Sequence, residues 1–324
     1  MILITGGTGF IGSHLVEAVC ARGEPLRCLI RRDSSKRHTF TFPAEAEVVF
    51  GDLVSGEGLS DALEGAGTVI HLAGVTKAFS RSDFYSGNTR ATENIARAVA
   101  RRAARFVYVS SLAAIGPSTD GTPVSEDAEP HPITHYGKSK MEGERIARAL
   151  VPDAVIVRPA VVYGPRDTDV LEMFRSISKG FVLKISGGER WFQAIYVKDL
   201  VEGLLAAACA PQAGGRAYSL AHAKAVSWSE LSAVAARIMR RRARVLQIPS
   251  PLAYAIGGFA EVCSRLTGKP GIISRQKVKE AQCRYWTCDT RRAALELGFE
   301  AQTPLDLGLA QTLAWYKEAG WLKY

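Results

Sequence analysis

Cysteine is scarce in this 324-residue chain and falls in no pattern: Cys20, Cys28, Cys209, Cys263, Cys283 and Cys288 include no C-x-x-C pair. Such spacing offers neither a disulfide framework nor a metal-ligand set, so no metal is expected and the thiols should be reduced and mostly buried. No secretory signal can be read in "MILITGG", which enters a strand-like apolar run directly, and the reduced thiols lead to the expectation of a cytoplasmic protein. The apolar stretch "LAYAIGGFA" (252–260) is too short to cross a bilayer and contains a glycine pair. It reads as a core or pocket-lining helix, with peripheral membrane contact as the lesser alternative. Acidic charge is in deficit, since 41 Lys and Arg face 32 Asp and Glu for a net of +9. The clusters Arg31-Arg32, Arg101-Arg102, Arg240-Arg241-Arg242 and Arg291-Arg292 are nevertheless scattered and not interleaved with aromatics, so no nucleic acid is expected as a partner. Repeats, low-complexity tracts and a flexible linker are also missing.

What is present is a series of short apolar runs, "MILIT", "LRCLI", "EVVF", "TVIHLA", "RFVYVS" and "AVIVRP", with helical patterns between them. That alternation predicts an α/β fold, a doubly wound parallel sheet with helices on both faces. Residues 83–103, with Phe84, Ile95, Ala98 and Val99 among polar neighbours, read as one long amphipathic helix. Beyond about residue 165 longer helical stretches broken by Gly and Pro suggest a smaller, irregular lobe.

The segment "ILITGGTGFIGSHL" runs strand, glycine turn, helix. Gly7, Gly9 and Gly12 satisfy G-x-G-x-x-G, while Gly6, Gly9 and Gly12 satisfy G-x-x-G-x-x-G. Either spacing permits a tight turn and close backbone approach to a pyrophosphate, which the following helix stabilises from Phe10 and Ile11 onward. The expected fold is therefore Rossmann-type, with residues 1–165 binding a dinucleotide and 194–222 returning to that unit. Residues 166–193 and 223–324 are assigned to a C-terminal substrate-binding lobe. After the second strand, "CLIRRDSSK" puts Arg31 where an acidic residue would hold the ribose of NAD; Arg32, Ser34 and Lys36 add donors for a 2′-phosphate. NADP(H) is favoured, and NAD(H) stays open because Asp33 is close by. Asp52 and Leu53 of "GDL" are placed at the adenine, and Leu72, Ala73 and Gly74 of "HLAG" against the cofactor.

The ordered pieces "TGGTGFIG", "GDL", "HLAG", "YVSS", "YGKSK" and "RPAVVYGP" closely resemble the extended short-chain dehydrogenases/reductases over essentially the whole chain. The resemblance implies that Tyr136 is the acid/base, that Lys140 holds the nicotinamide ribose and lowers the Tyr136 pKa, and that Ser111 orients the substrate oxygen, with Ser110 as fallback. Chemically, a phenol is a poor base at neutral pH until a cation favours its ionised form, and positions four apart share a helical face. By the same resemblance Asn88 lies beside the cofactor pocket, Pro159 and Val162 flank the nicotinamide, and Arg158 and Tyr163 pack or anchor loops.

Leu112 and Ala113 stand where dehydratases of the family carry an Asp-Glu pair, and Ala160 stands where epimerases often carry asparagine. Lys277, Lys279 and Arg284 are imperfect substitutes for a phosphate-binding arginine. The tail from "WTCDTRRAALELGF" onward resembles the branch holding 3β-hydroxysteroid dehydrogenases and dihydroflavonol-type reductases. The expected activity is hydride transfer between nicotinamide and a secondary alcohol or ketone on a mainly hydrophobic small molecule, with Phe79, Phe84, Val161, Trp191, Phe192 and Ser111 at the substrate. The alternatives are a nucleotide-sugar 4-epimerase with tightly bound NAD and a catalytically silent NADP-binding regulatory or scaffold protein. The resemblance further implies a homodimer paired through the helices near 84–103 and 136–149.

Overall fold

The computed structural model describes residues 1–32, 40–102, 104–267, 271 and 273–324. All six apolar runs form strands: β1 (Ile2–Thr5), β2 (Leu26–Ile30), β3 (Ala46–Phe50), β4 (Thr68–His71), β5 (Arg105–Val109) and β6 (Val155–Pro159). With the strand Ala217–Leu220 they make one seven-stranded sheet in the order Ala217–Leu220, β6, β5, β4, β1, β2, β3. Every pairing in it is parallel. Side chains alternate across the sheet, so Ile4, Ile70, Val107, Val109, Val155 and Val157 face one layer with the helices Phe10–Ala21 and Val197–Cys209. Leu3, Val69, Phe106, Tyr108 and Ile156 face the other, with the helices Ala91–Ala100 and His135–Leu150. The fold is thus a doubly wound, Rossmann-like α/β sheet.

Three small sheets lie beyond it. Val161–Tyr163 pairs with Ala194–Tyr196, Trp191–Phe192 pairs with Val226–Ser227 and Tyr285–Trp286, and Phe181–Ile185 pairs with Arg244–Ile248. They surround a second core of Phe174, Ile177, Val182, Leu231, Leu313 and Tyr316.

Three readings need correction. The single helix expected over 83–103 is interrupted: Arg81–Phe84 and Ala91–Ala100 flank a π-helical turn at Tyr85–Arg90. The stretch 252–260 is not core, because it belongs to the helix Ser250–Thr267, whose only buried residues are Ala253 and Gly257. The thiols form no disulfide among the described residues, but only Cys28 and Cys288 are buried and Cys209 is exposed.

A buried ion pair ties β6 to the helix His135–Leu150. Arg158 donates from Nε to Glu144 Oε1 at 2.9 Å and from Nη2 to Oε2 at 2.7 Å, and both side chains are almost fully enclosed. Its Nη1 donates to the Glu126 carbonyl at 2.8 Å. Removing one partner alone strands the other's charge in a dry site. Glu144→Ala should therefore cost about 3–5 kcal/mol in urea unfolding, and the double variant Glu144→Leu/Arg158→Met should recover most of it. Equal loss in both variants would refute this account.

Candidate functional site

The C-terminal ends of β1, β4, β5 and β6 open on one side of the sheet, where the strand order reverses between β4 and β1. Gly6 takes φ +77° there, and the Gly9 amide donates to its carbonyl at 2.9 Å. A Cβ at Gly12 would lie 2.1 Å from the Gly6 oxygen, and one at Gly6 would lie 2.7 Å from the Ala73 nitrogen. Of the two glycine spacings, geometry demands the one that begins at Gly6. No side chain among the described residues caps the helix Phe10–Ala21, so its first amides, at the half-buried Phe10 and Ile11, are available to an anion. This cradle fits a dinucleotide pyrophosphate.

Arg31 and Arg32 follow β2 directly and are exposed, with the Arg32 guanidinium 5.0 Å from the centroid of the Phe50 ring. Asp33, Ser34 and Lys36 lie outside the described residues. Asp52, just past β3, accepts on Oδ1 from the amides of Val54 at 2.6 Å and Ser55 at 3.0 Å, which closes the turn that carries Leu53. Asn94, which sequence reasoning missed, holds that turn by donating to the Leu53 and Val54 carbonyls, each at 2.9 Å.

The "HLAG" segment is anchored from beneath. His71 is fully buried between Thr5 Oγ1 at 2.7 Å and Thr92 Oγ1 at 3.2 Å. Burial and the nearby Lys140 push its imidazole down to about 3, so it is neutral. Thr5 also accepts from the Ala73 amide at 3.3 Å, and Leu72 is half-buried beside it. Asn88 is buried in the π-helical turn rather than on a helix surface. Its Oδ1 accepts from the Val75 amide at 2.6 Å, and its Nδ2 donates to Ser139 Oγ at 2.9 Å and to the Val75 carbonyl at 3.0 Å. A Cβ on Gly74 would strike that Oδ1 at 2.9 Å. The π-turn therefore aims Asn88 at the loop after β4, a use of such turns that recurs at functional sites.

Thr134 starts the helix His135–Leu150 by accepting from the Gly137 amide, which presents Tyr136 and Lys140 on one face. A Cβ at Gly143 would lie 2.3 Å from the Tyr108 hydroxyl oxygen, so glycine lets this helix seat on the sheet. Lys140 is buried; its Nζ donates to the Val109 carbonyl at 2.7 Å and lies 4.3 Å from the centroid of the Tyr108 ring. Burial pushes its ammonium down to about 7 against the pull of Glu144, one turn further on. Burial raises the Tyr136 phenol, and the hydrogen bond with Ser111 and the charge of Lys277 pull it back.

Ser111 and Ser110 are separated by the fold. Ser110 is buried and donates to Glu144 Oε1 at 2.5 Å. Ser111 caps the short helix Leu112–Ile115 and turns its hydroxyl to Tyr136. The structure thus sets Ser111 beside Tyr136 and carries Lys140 one turn further along the same helix, on the Val109 carbonyl at the end of β5, with Lys277 rather than Lys140 as the cation that lowers the phenol; Ser110 belongs to the Arg158–Glu144 network. Pro159 ends β6, while Val161 and Val162 stand in the next strand, Val161 exposed and Val162 half-buried. Tyr163 is buried against Tyr196, as a packing residue.

Of the apolar residues expected at the substrate, Phe84 reaches Tyr136, with ring centroids 6.3 Å apart. Phe79 and Trp191 are exposed. Phe192 is a correction, because it is buried against Trp228 in the second core. A late element not foreseen also meets the site: in the helix Arg275–Gln282, Glu280 accepts from Thr134 Oγ1 and Gln276 from the His135 amide, both at 3.0 Å. Lys277, on the same helix, pairs with Glu280 at 2.7 Å. A separate cavity of about 320 Å³, lined by Tyr163, Tyr196, His222, Arg237 and Pro304 among others, contains none of Ser111, Tyr136 and Lys140. No group of metal-ligating side chains occurs among the described residues.

Residues 2–221 match the model of the NAD dependent epimerase/dehydratase family. A ceramide reductase of Caulobacter vibrioides is 34% identical over 322 residues, covering 99% of this chain and 96% of that protein. An N-acetyl-alpha-D-glucosaminyl-diphospho-ditrans,octacis-undecaprenol 4-epimerase of Escherichia coli is 25% identical, covering 96% of this chain and 94% of its own. Among solved structures, MoeE5 in complex with UDP-glucose and NAD superposes with a TM-score of 0.78 at 26% identity, covering 98% of this chain and 99% of that one.

Gly12→Ala should abolish dinucleotide binding, measured by nicotinamide fluorescence, because the new methyl overlaps the Gly6 carbonyl; unchanged binding would overturn the cradle. Lys140 gives a pH test. Its folded pKa lies near 7 and its ordinary value is 10.5, so between those limits the unfolded chain binds the extra proton. The destabilisation is full below pH 7 and fades as pH rises toward 10.5. Lys140→Met should therefore raise the Tm of the cofactor-free protein more at about pH 6 than at about pH 9.5, and an equal gain at both would contradict the buried-ammonium account.

Proposed function

The chain belongs to the NAD dependent epimerase/dehydratase family, and from that premise we propose that it is an NAD(P)-dependent reductase acting on a ketone, or in reverse a secondary alcohol, of a mainly hydrophobic molecule. The observation that carries the reading is the meeting of Ser111 and Tyr136 with the buried Lys140 beside a glycine cradle. When bound, the nicotinamide dinucleotide supplies or accepts the hydride. Gly6, Gly9 and Gly12 would hold its pyrophosphate, Asp52 and Leu53 its adenine, and Lys140 with Asn88 its nicotinamide end. Arg31 and Arg32 support NADP(H) over NAD(H).

In this reading Tyr136 passes its phenolic proton to the ketone oxygen as the carbon is reduced, and Ser111 donates a hydrogen bond to the same oxygen while negative charge grows on it. Lys140, in its charged form, favours the phenolate that remains. The likeness to the ceramide reductase supports a lipid of the ceramide class as substrate. Phe84 and the exposed Val161 and Trp191 offer apolar contact to such a molecule. The lobe of 166–193 and 223–324 would contribute the rest of its pocket, and a homodimer belongs to the same reading.

The likeness to the 4-epimerase, together with that to MoeE5 in complex with UDP-glucose and NAD, supports a second reading, in which NAD is retained and a diphosphate-linked sugar, such as a sugar nucleotide, turns over without net redox change. Incubating the protein with NADPH or NADH and long-chain ketones, or with a UDP-sugar and no added cofactor, separates the two. Stoichiometric loss of nicotinamide absorbance with the ketone is expected. Sugar turnover without added cofactor would instead select the epimerase. Tyr136→Phe should lower turnover by about 10²–10⁴-fold while leaving the dinucleotide affinity within a factor of about two. Unchanged turnover would remove Tyr136 from the chemistry.

A further inference from the structure

The helix Ser250–Thr267 packs through Ala253 and Gly257, both buried, and Glu261, which accepts from the Arg275 amide at 2.8 Å and pairs with its side chain. Its opposite side carries Leu252, Ile256, Phe259, Val262 and Leu266 at spacings of four, three, three and four. All are exposed, Phe259 to 72% and Leu266 to 81%. This is one apolar stripe about 21 Å long, and Glu261 and Arg265 are the only charges in the whole helix. The strand Arg244–Ile248, which leads into it, exposes Val245 and Leu246, and the paired strand exposes Phe181 and Leu183.

Charge is concentrated around the same element. Residues 237–284 hold eleven Lys and Arg (237, 240, 241, 242, 244, 265, 269, 275, 277, 279 and 284) against Glu261 and Glu280. Their net of +9 equals that of the entire chain, so the rest of the sequence is balanced. Arg237, Arg240, Arg241, Arg242, Arg244 and Arg265 are all exposed.

We propose that the exposed face of the helix Ser250–Thr267 docks on an anionic lipid bilayer, with its Leu, Ile, Phe and Val side chains among the acyl chains and the flanking arginines on the headgroups. An apolar stripe flanked along the chain by exposed cations is the pattern of a helix lying in the membrane interface. No helix among the described residues is long and apolar enough to cross a membrane, so the contact is peripheral. A second copy of the chain is disfavoured as occupant, because it would bring two segments of the same positive charge together. Nucleic acid would match the charge but not the Phe259 and Leu266 side chains. The docking goes beyond the reductase reading and does not depend on it; where both hold, a lipid substrate would enter from the bilayer side of the lobe.

The test is sedimentation of the full chain with vesicles, with neither substrate nor cofactor present, so failure here leaves the reductase reading untouched. Vesicles of phosphatidylcholine alone are compared with an equimolar mixture of phosphatidylcholine and phosphatidylglycerol. Binding to the mixed vesicles should be about tenfold or more tighter and should weaken with salt. Phe259→Glu and Leu266→Glu should each abolish it, and Arg240→Glu/Arg242→Glu should erase the preference for phosphatidylglycerol. Nicotinamide titration and circular dichroism show that each variant is folded. Absence of wild-type binding, or equal binding by wild type and Phe259→Glu, would overturn the proposal. So would self-association in sedimentation velocity that Phe259→Glu removes without any vesicle binding, which would give the face to a second copy.

Discussion

The bidentate pair between Arg158 and Glu144 is the constraint on which the site is built. Two opposite charges are removed from water where β6 meets the helix His135–Leu150, and every remaining lone pair and proton must find a partner for that to be tolerated. Glu144 meets the demand by taking the Ser110 hydroxyl, and Arg158 by donating to the Glu126 carbonyl. The network therefore joins β5, β6, one loop and the candidate catalytic helix at a single point. Lys140 stands one helical turn before Glu144, so the same carboxylate that locks the helix also supports the ammonium that burial would otherwise discharge.

Close backbone approach then brings the pieces within chemical reach. The loop after β1 rests against the loop after β4 because Gly6 has no side chain, and the helix His135–Leu150 settles onto Tyr108 because Gly143 has none. The π-helical turn at Tyr85–Arg90 completes the arrangement by turning Asn88 inward, so that one amide side chain holds both Val75 and Ser139. Rigid elements carry most of these groups, which suits a site whose donors must be in place before a substrate arrives. The helix Arg275–Gln282 closes the edge near Tyr136, so a residue far along the chain, Lys277, shapes the field at the phenol.

The molecule is also divided in its surface chemistry. The segment 237–284 carries the whole positive excess and much of the exposed apolar area, while residues 1–236 and 285–324 together are neutral in sum. Helix Ser250–Thr267 shows how hydrophobicity alone misleads: its composition resembles a core helix, yet its small residues Ala253 and Gly257 are packed and its large ones are exposed. That inversion is the reverse of what burial would select.

The order of apolar runs, the strand-glycine-helix opening and the Tyr136 to Lys140 spacing were legible in the sequence because each is a local requirement. Strand alternation, positive φ and the helical four-residue repeat are properties of neighbouring residues. Only tertiary structure separated Ser110 from Ser111, since adjacent residues differ there by which remote partner claims the hydroxyl, Glu144 for Ser110 and Tyr136 for Ser111. It likewise turned Phe192 into the core beside Trp228, broke the helix over 83–103 at Asn88, and seated Gln276 and Glu280 on the start of the helix His135–Leu150. Those outcomes rest on contacts between segments remote in sequence, and a pattern read along one chain carries backbone preference but not the identity of the neighbour that packing supplies.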